Sequence, residues 1–478
     1  MNKPIRRIAV LTMALFVALL LNASQIVVFQ QDSLNANPQN RRVRDEQFGG
    51  HRGSIVAGKT TLAVSDATPQ GSQFAYQRSY PQGDLYAPVT GYFSYDRGST
   101  GLESAYSAEL AGTSNSLFVR RLVDTVTGRS PQGATVETTL DPKAQQAAAQ
   151  ALGHQQGAVV AMDAETGAVL AMVSSPSYDP TTLSGTDIKS AGEAYGTLLQ
   201  DPDSPLTNRA AGEIYPPGST FKLVTAAAAL ENGMQPSTLV DTPAKLTLPG
   251  TKTQLPNETQ CGDGQQTLDR ALQLSCNTAF ANVAIKLGDN ALRQQAEKFG
   301  WNFQLGDVGG VAARFPANPD PAQTGLSGIG QYDVASNPLH MAMVSAAIAN
   351  DGKLMTPYVV QTVRAADLTA LSTTKPKELS QAMSAANAQQ LQGMMVNVVN
   401  SGTGTSAQIN GVRVGGKTGT AQTTADKPPY AWFTAFAEKN NRKIAVAVFV
   451  ESANVPRSEV GGNVVAAPIA KSVIQALL

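Results

Sequence analysis

Tyr215, Pro216, Pro217, Gly218, Ser219, Thr220, Phe221 and Lys222 are followed by Leu223, Val224 and an apolar run from Ala226 to Leu230. The prolines and the glycine cannot continue a helix, whereas the apolar run predicts a buried one, so Ser219 falls at a helix start. There the free backbone N–H groups and the positive end of the helix dipole favour an alkoxide or oxyanion forming at the serine. Lys222, three residues on, projects from the same helix face. A capping role would account for the serine but not for a lysine at that spacing. Burial against Phe221 and the alanines strips the amine of hydration and favours its neutral form, which can take the serine's proton.

Two further strings follow in order. Ser275, Cys276 and Asn277 make an SxN, and Lys417, Thr418 and Gly419 make a KTG. Each string alone carries little information. The ordered set of SxxK, SxN and KTG is the pattern of active-site serine enzymes that react with D-alanyl-D-alanine peptides and with penicillin, in which serine attacks a carbonyl and lysine moves the proton. The chain has only three histidines, His51, His154 and His340, none in a nucleophile-elbow or triad context, and all three read as structural. HExxH and CxxC are absent, so neither a metal nor another cofactor is expected.

Around the KTG, Val412 and Val414 precede Gly415 and Gly416, and residues 430–436 and 444–450 supply two β-rich runs. Three antiparallel strands follow from this pattern, with the KTG on the first. Residues 157–174 predict a hairpin turning at Glu165, Thr166 and Gly167, and residues 466–478 a closing helix. Asp141 and Pro142 are a helix cap and its first residue. With the helical middle packed on this sheet the class is α+β. Glycines 415, 416 and 419 are expected to let an extended peptide add to the sheet edge, with Lys417 and Thr418 holding its carboxylate. The amides of Ser219 and Thr420 are candidates for an oxyanion hole. Trp432 and Phe433 read as core or cleft-wall residues rather than substrate stackers.

These motifs and their flanks resemble the class B penicillin-binding proteins, most of all the penicillin-binding protein A group of actinobacteria. The likeness lies in residues 157–163, 167–176, 178–180, 215–222 and 327–331, and in residues 52–55, 78–92 and 101–103 of the first half. It implies a transpeptidase domain of the penicillin-binding, serine-β-lactamase-like fold over residues 136–478, and a non-catalytic, dimerisation-like pedestal over 30–135. A cytoplasmic stub and transmembrane anchor would occupy residues 1–29. No glycosyltransferase domain fits the remaining length.

The implied activity is D,D-transpeptidation of peptidoglycan stem peptides during growth and division, blocked by β-lactams. Ser219 attacks the penultimate D-alanine carbonyl, Lys222 carries the proton, Ser275 relays one to the leaving amine and Asn277 binds the donor amide. Lys417, Thr418, Gly419 and Thr420 form the substrate strand. A membrane glycosyltransferase and other cell-wall proteins are the implied partners. A D,D-carboxypeptidase, a β-lactamase-like hydrolase and a cell-wall scaffold are the alternatives. Against a β-lactamase, the ExxN strings at Glu438 and Glu451 lie after the KTG rather than between SxN and KTG.

Lys3, Arg6 and Arg7 precede an apolar stretch over residues 8–29, which reads as a single span with a cytoplasmic N-terminus; a signal peptide ending near Ala23 is the other reading. Thirty-six basic residues balance thirty-six acidic ones, which gives no drive toward nucleic acid. Residues 30–130 are polar and weakly periodic, either a linker or the pedestal. Residues 365–386 read as a surface insertion. The only two cysteines, Cys261 and Cys276, are either bridged or two buried thiols, and a bridge would restrain Ser275 and Asn277.

Overall fold

The strand Gln156–Asp163 is apolar from Ala158 to Met162 because both its faces are covered. Ala158, Val160 and Met162 join one core, Val159 and Ala161 the other, as alternation along a strand requires. The computed structural model describes residues 3–30, 34, 41–117, 132–257, 259–422, 428–453 and 460–478. In it the strand sits inside a five-stranded antiparallel sheet. Arg413–Ala421, Tyr430–Lys439, Arg442–Ser452, Gln156–Asp163 and Val169–Ser175 are successive neighbours, which places the KTG on an edge.

The helices Pro142–Leu152 and Ala467–Leu477 pack on each other and cover one face. Asp141 caps the first, accepting from the N–H groups of Lys143 and Ala144. Against the other face lies Pro338–Ala349, buried at every residue, so it is apolar all round rather than amphipathic. Its few polar side chains find partners: the Ser345 and Thr434 hydroxyls lie 2.6 Å apart, and His340 meets Asn337 and the carbonyl of Phe303. Ala385–Ser401 packs beside it, directly on the KTG strand, and Lys222–Glu231 and Asn277–Leu287 belong to the same core.

Two compact units are distinguished, Met1–Gly50 with Ala67–Gln77, and His51–Asp66 with Arg78–Leu478. The smaller contains the helix Lys3–Gln25, whose 23 residues reach about 35 Å, enough to cross a hydrocarbon core of about 30 Å. In the larger unit a mixed sheet has Ala370–Thr373, Val360–Arg364, Thr135–Thr138, Ile55–Ala57 and Thr60–Ala67 as successive neighbours.

Residues 365–386, expected as a surface insertion, therefore contain two strands. Ala370–Thr373 extends this sheet through a turn at Leu368, and Glu378–Gln381 pairs with Lys353–Met355. Neither strand shows apolar alternation, and the sheet that Ala370–Thr373 extends continues beyond Val360–Arg364 to Thr135–Thr138 and Ile55–Ala57, more than two hundred residues away. Residues 52–66 and 78–117 hold strands and helices and a buried cluster of Arg52, Arg78 and Glu103, so over those residues the linker reading is wrong.

Candidate active site

Gly218 stands at φ +52°, a left-handed turn that glycine adopts freely, and it starts the single helical turn Gly218–Phe221 leading into Lys222–Glu231. The turn is seated by residues 327–331: the Gly218 N–H donates to the Gly330 carbonyl at 3.0 Å, and a side chain at Gly330 would overlap Gly218. Thr220 Oγ1 donates to Pro217 and Trp432 Nε1 to the Pro216 carbonyl, each tying the turn further. Ser219 is thereby fixed at the wall of a cleft of about 740 Å³.

Behind that wall Lys222 is completely buried. Its Nζ donates to the Ser275 carbonyl at 2.7 Å and to Asn277 Oδ1 at 2.8 Å, and lies 3.3 Å from Ser275 Oγ. Lys417, equally buried, reaches Ser275 Oγ from the KTG strand at 2.9 Å and donates to the Thr418 carbonyl at 2.8 Å. One hydroxyl thus stands between two amines. Ser275 achieves this at φ +62°, which for a non-glycine residue costs roughly 1–3 kcal/mol and persists only where the surroundings impose it. Cys276 is bonded to Cys261, 15 residues earlier, immediately behind it.

Ser219, Ser275, Asn277, Thr418 and Thr420 all line the cleft, while Lys222 and Lys417 approach from beneath. Gly419 does not face it. A Cβ there would crowd Thr220, Pro217 and Trp432; one at Gly415 would overlap the Phe436 ring and one at Gly416 would press on Phe433. The three glycines make room for the protein's own side chains and turn, not for an incoming peptide as the sequence had suggested. Trp432 and Phe433 are fully buried, Trp432 against Phe449. Glu438 is paired with Arg413 and Glu451 with Arg209. His154 is exposed, and burial pushes His340 down to about 4.

Sequence reading missed Asn257, Gln260, Thr403, Gln331 and the segment Gly461, Gly462, Asn463 and Val464, all in the cleft wall. Thr403 places its hydroxyl 2.7 Å from that of Thr418. Gly462 packs so closely on the KTG strand that a side chain would overlap the Trp432 carbonyl. Gln331 ends the stretch 327–331 that carried the resemblance but was given no role there; the others belong to no recognisable string, although Gly461-Gly462 before a helix marks a close backbone approach.

Residues 157–475 match the penicillin binding protein transpeptidase domain, and residues 52–136 the penicillin binding protein A dimerisation domain. The chain belongs to the penicillin-binding protein transpeptidase family. Among its relatives are the peptidoglycan D,D-transpeptidases PbpA of Mycolicibacterium smegmatis and of Mycobacterium tuberculosis. Each is 43% identical, over 100% of this chain and 99% of its own length. The M. tuberculosis penicillin-binding protein A structure solved as a ceftriaxone acyl-enzyme superposes with a TM-score of 0.86, at 40% identity over 91% of this chain and 100% of that one. Its penicillin G acyl-enzyme gives 0.83, at 41% identity over 90% and 99%.

Proposed function

We propose that this chain is a peptidoglycan D,D-transpeptidase in which Ser219 is the nucleophile and Lys222 its base. The observation that carries the reading is the Ser275 hydroxyl held between the Lys222 and Lys417 amines at 3.3 and 2.9 Å. Ser219 Oγ attacks the carbonyl carbon of the penultimate D-alanine. Its proton passes to Lys222, whose amine is held in place by the Ser275 carbonyl and Asn277 Oδ1. Ser275 relays a proton to the departing D-alanine amine as the tetrahedral intermediate collapses to the Ser219 ester. An acceptor amine then attacks that ester, forms the cross-link and returns the proton to Ser219.

Lys417 and Thr418 hold the donor's terminal carboxylate, Asn277 its amide, and the Ser219 and Thr420 N–H groups the developing oxyanion. β-Lactams acylate the same serine. Neither ExxN glutamate is available to position a hydrolytic water, because both are engaged with arginines, which favours transfer to an amine over a β-lactamase.

The apolar helix Lys3–Gln25 anchors the chain in the membrane, and Lys3, Arg6 and Arg7 at its start favour a cytoplasmic N-terminus with the catalytic part outside. A membrane glycosyltransferase supplying nascent glycan is the partner this arrangement calls for. Incubation with a stem pentapeptide ending in D-alanyl-D-alanine and an amine acceptor should release D-alanine and yield the new amide in step. Release of D-alanine with water as the only acceptor would instead make it a carboxypeptidase.

A further inference from the structure

The SxN turn leads into a helix that cannot cap itself. Asn277–Leu287 begins after Cys276, whose side chain makes no cap hydrogen bond because its sulfur is committed to Cys261. First-turn N–H groups have no partner within their own helix and must find an acceptor elsewhere. Here it comes from a distant segment: the Asn277 N–H donates to Asn257 Oδ1 at 2.9 Å.

Asn257 ends the hairpin of Lys245–Thr247 and Gln254–Pro256, and its own N–H donates to the Ala244 carbonyl at 3.0 Å. The hairpin's base is pinned to the same helix. Thr278 Oγ1 donates to the Pro243 carbonyl at 2.8 Å, and Asn282 Nδ2 to that of Asp241 at 3.0 Å. Farther along, Gln260 Nε2 donates to the Leu274 carbonyl at 3.2 Å, and Cys261 joins Cys276. Asn257, Gln260 and Cys261 thus grip the SxN turn at 277, 274 and 276, on both sides of Ser275.

What they grip is a left-handed serine. At φ +62° Ser275 turns its carbonyl to Lys222 and its hydroxyl to both lysines, and relaxation to an ordinary backbone angle would move at least one of these oxygens away. Asn277 must also keep Oδ1 on Lys222, which it does only while its own helix start is fixed.

We infer that Asn257 is a positioning residue for the reaction. It caps the Asn277 helix from outside and, with the bonded cysteines, keeps Ser275 and Asn277 set against Lys222. The inference rests on Ser219 being the acylated nucleophile.

Stopped-flow acylation of the full chain by a fluorescent penicillin separates initial binding from the covalent step. Asn257→Leu keeps the bulk and loses the acceptor; Asn257→Asp keeps the acceptor. The leucine variant is expected to acylate about 10- to 100-fold more slowly, the scale of a misplaced catalytic group, with initial binding within about twofold and Asn257→Asp within about threefold of the wild type. Equal acylation rates in Asn257→Leu and wild type would overturn the inference, as would equal slowing in the leucine and aspartate variants or a loss confined to initial binding. Should the leucine variant not fold, Asn257→Ser, too short to reach the Asn277 N–H, takes its place with the same outcomes. A wild-type chain that takes up no penicillin would instead overturn the assignment of Ser219.

Discussion

Glu103 in the pedestal is wholly buried with guanidinium nitrogen on both oxygens, Arg78 Nε at 2.6 Å from one and Arg52 Nη2 at 2.9 Å from the other. Lys222 and Lys417 are just as deeply buried, yet their hydrogen bonds run to carbonyl, amide and hydroxyl oxygens. The first arrangement compensates charge with charge and rigidifies a fold. The second sets neutral carbonyl, amide and hydroxyl oxygens against the amines. Burial is the same in both clusters, and the charge of these partners is what sets the ion cluster of the pedestal apart from the proposed catalytic one.

The comparison breaks first at Lys222. Lys222→Ala should slow acylation per folded molecule by about 10²–10⁴-fold, the range of general acid–base catalysis, on top of the stability lost with its buried hydrogen bonds. A large loss of stability with acylation intact would make Lys222 structural and the contrast false. Glu103→Gln should do the reverse. Removing the anion from between two buried cations should cost about 3–5 kcal/mol in urea unfolding, while the acylation rate per folded molecule stays at the wild-type value.

A smaller effect is expected where the two kinds of role meet. Gly330→Ala adds a methyl group that overlaps Gly218 at a φ of +73°, so it should cost about 1–3 kcal/mol of stability and also slow acylation, because the displaced turn carries Ser219. A stability loss without an acylation defect would show that residues 327–331 do not seat the nucleophile.

Acid gives the mildest test. Burial is the largest influence on Glu103 and opposes its ionisation, but Arg78 and Arg52 together outweigh it and hold the carboxyl below its ordinary value of 4.5. A depressed carboxyl binds fewer protons folded than unfolded. Its stabilisation is therefore complete above about pH 4.5 and is lost as pH falls through the lowered value. The gap in urea midpoint between wild type and Glu103→Gln should be widest at neutral pH and narrow below 4.5. A gap that widens in acid would invert the sign.

The reactive cluster was legible from sequence because its chemistry is written in short strings. SxxK, SxN and KTG name four of the residues that line the cleft, Ser219, Ser275, Asn277 and Thr418, and both lysines beneath it. The sheet was legible too, since Arg442–Ser452 and Gln156–Asp163 are apolar runs of strand length. What stayed hidden depends on distance in the chain. Asn257 acts through a single hydrogen bond to Asn277, and the edge strand Ala370–Thr373 joins a sheet begun at Ile55. Glycines 415, 416 and 419 were read for their smallness, correctly, but sequence alone does not say which neighbour fills the space. Here it is Phe436, Phe433 and the Pro217–Thr220 turn.

The central claim, that Ser219 forms an acyl-enzyme and hands it to an amine, is tested most directly by mass spectrometry of the full chain after exposure to benzylpenicillin. The account predicts one penicilloyl group per chain on the peptide containing Ser219, persisting after free penicillin is removed and absent in Ser219→Ala. A label on another residue, or penicillin turned over with Ser219 left free, would contradict it.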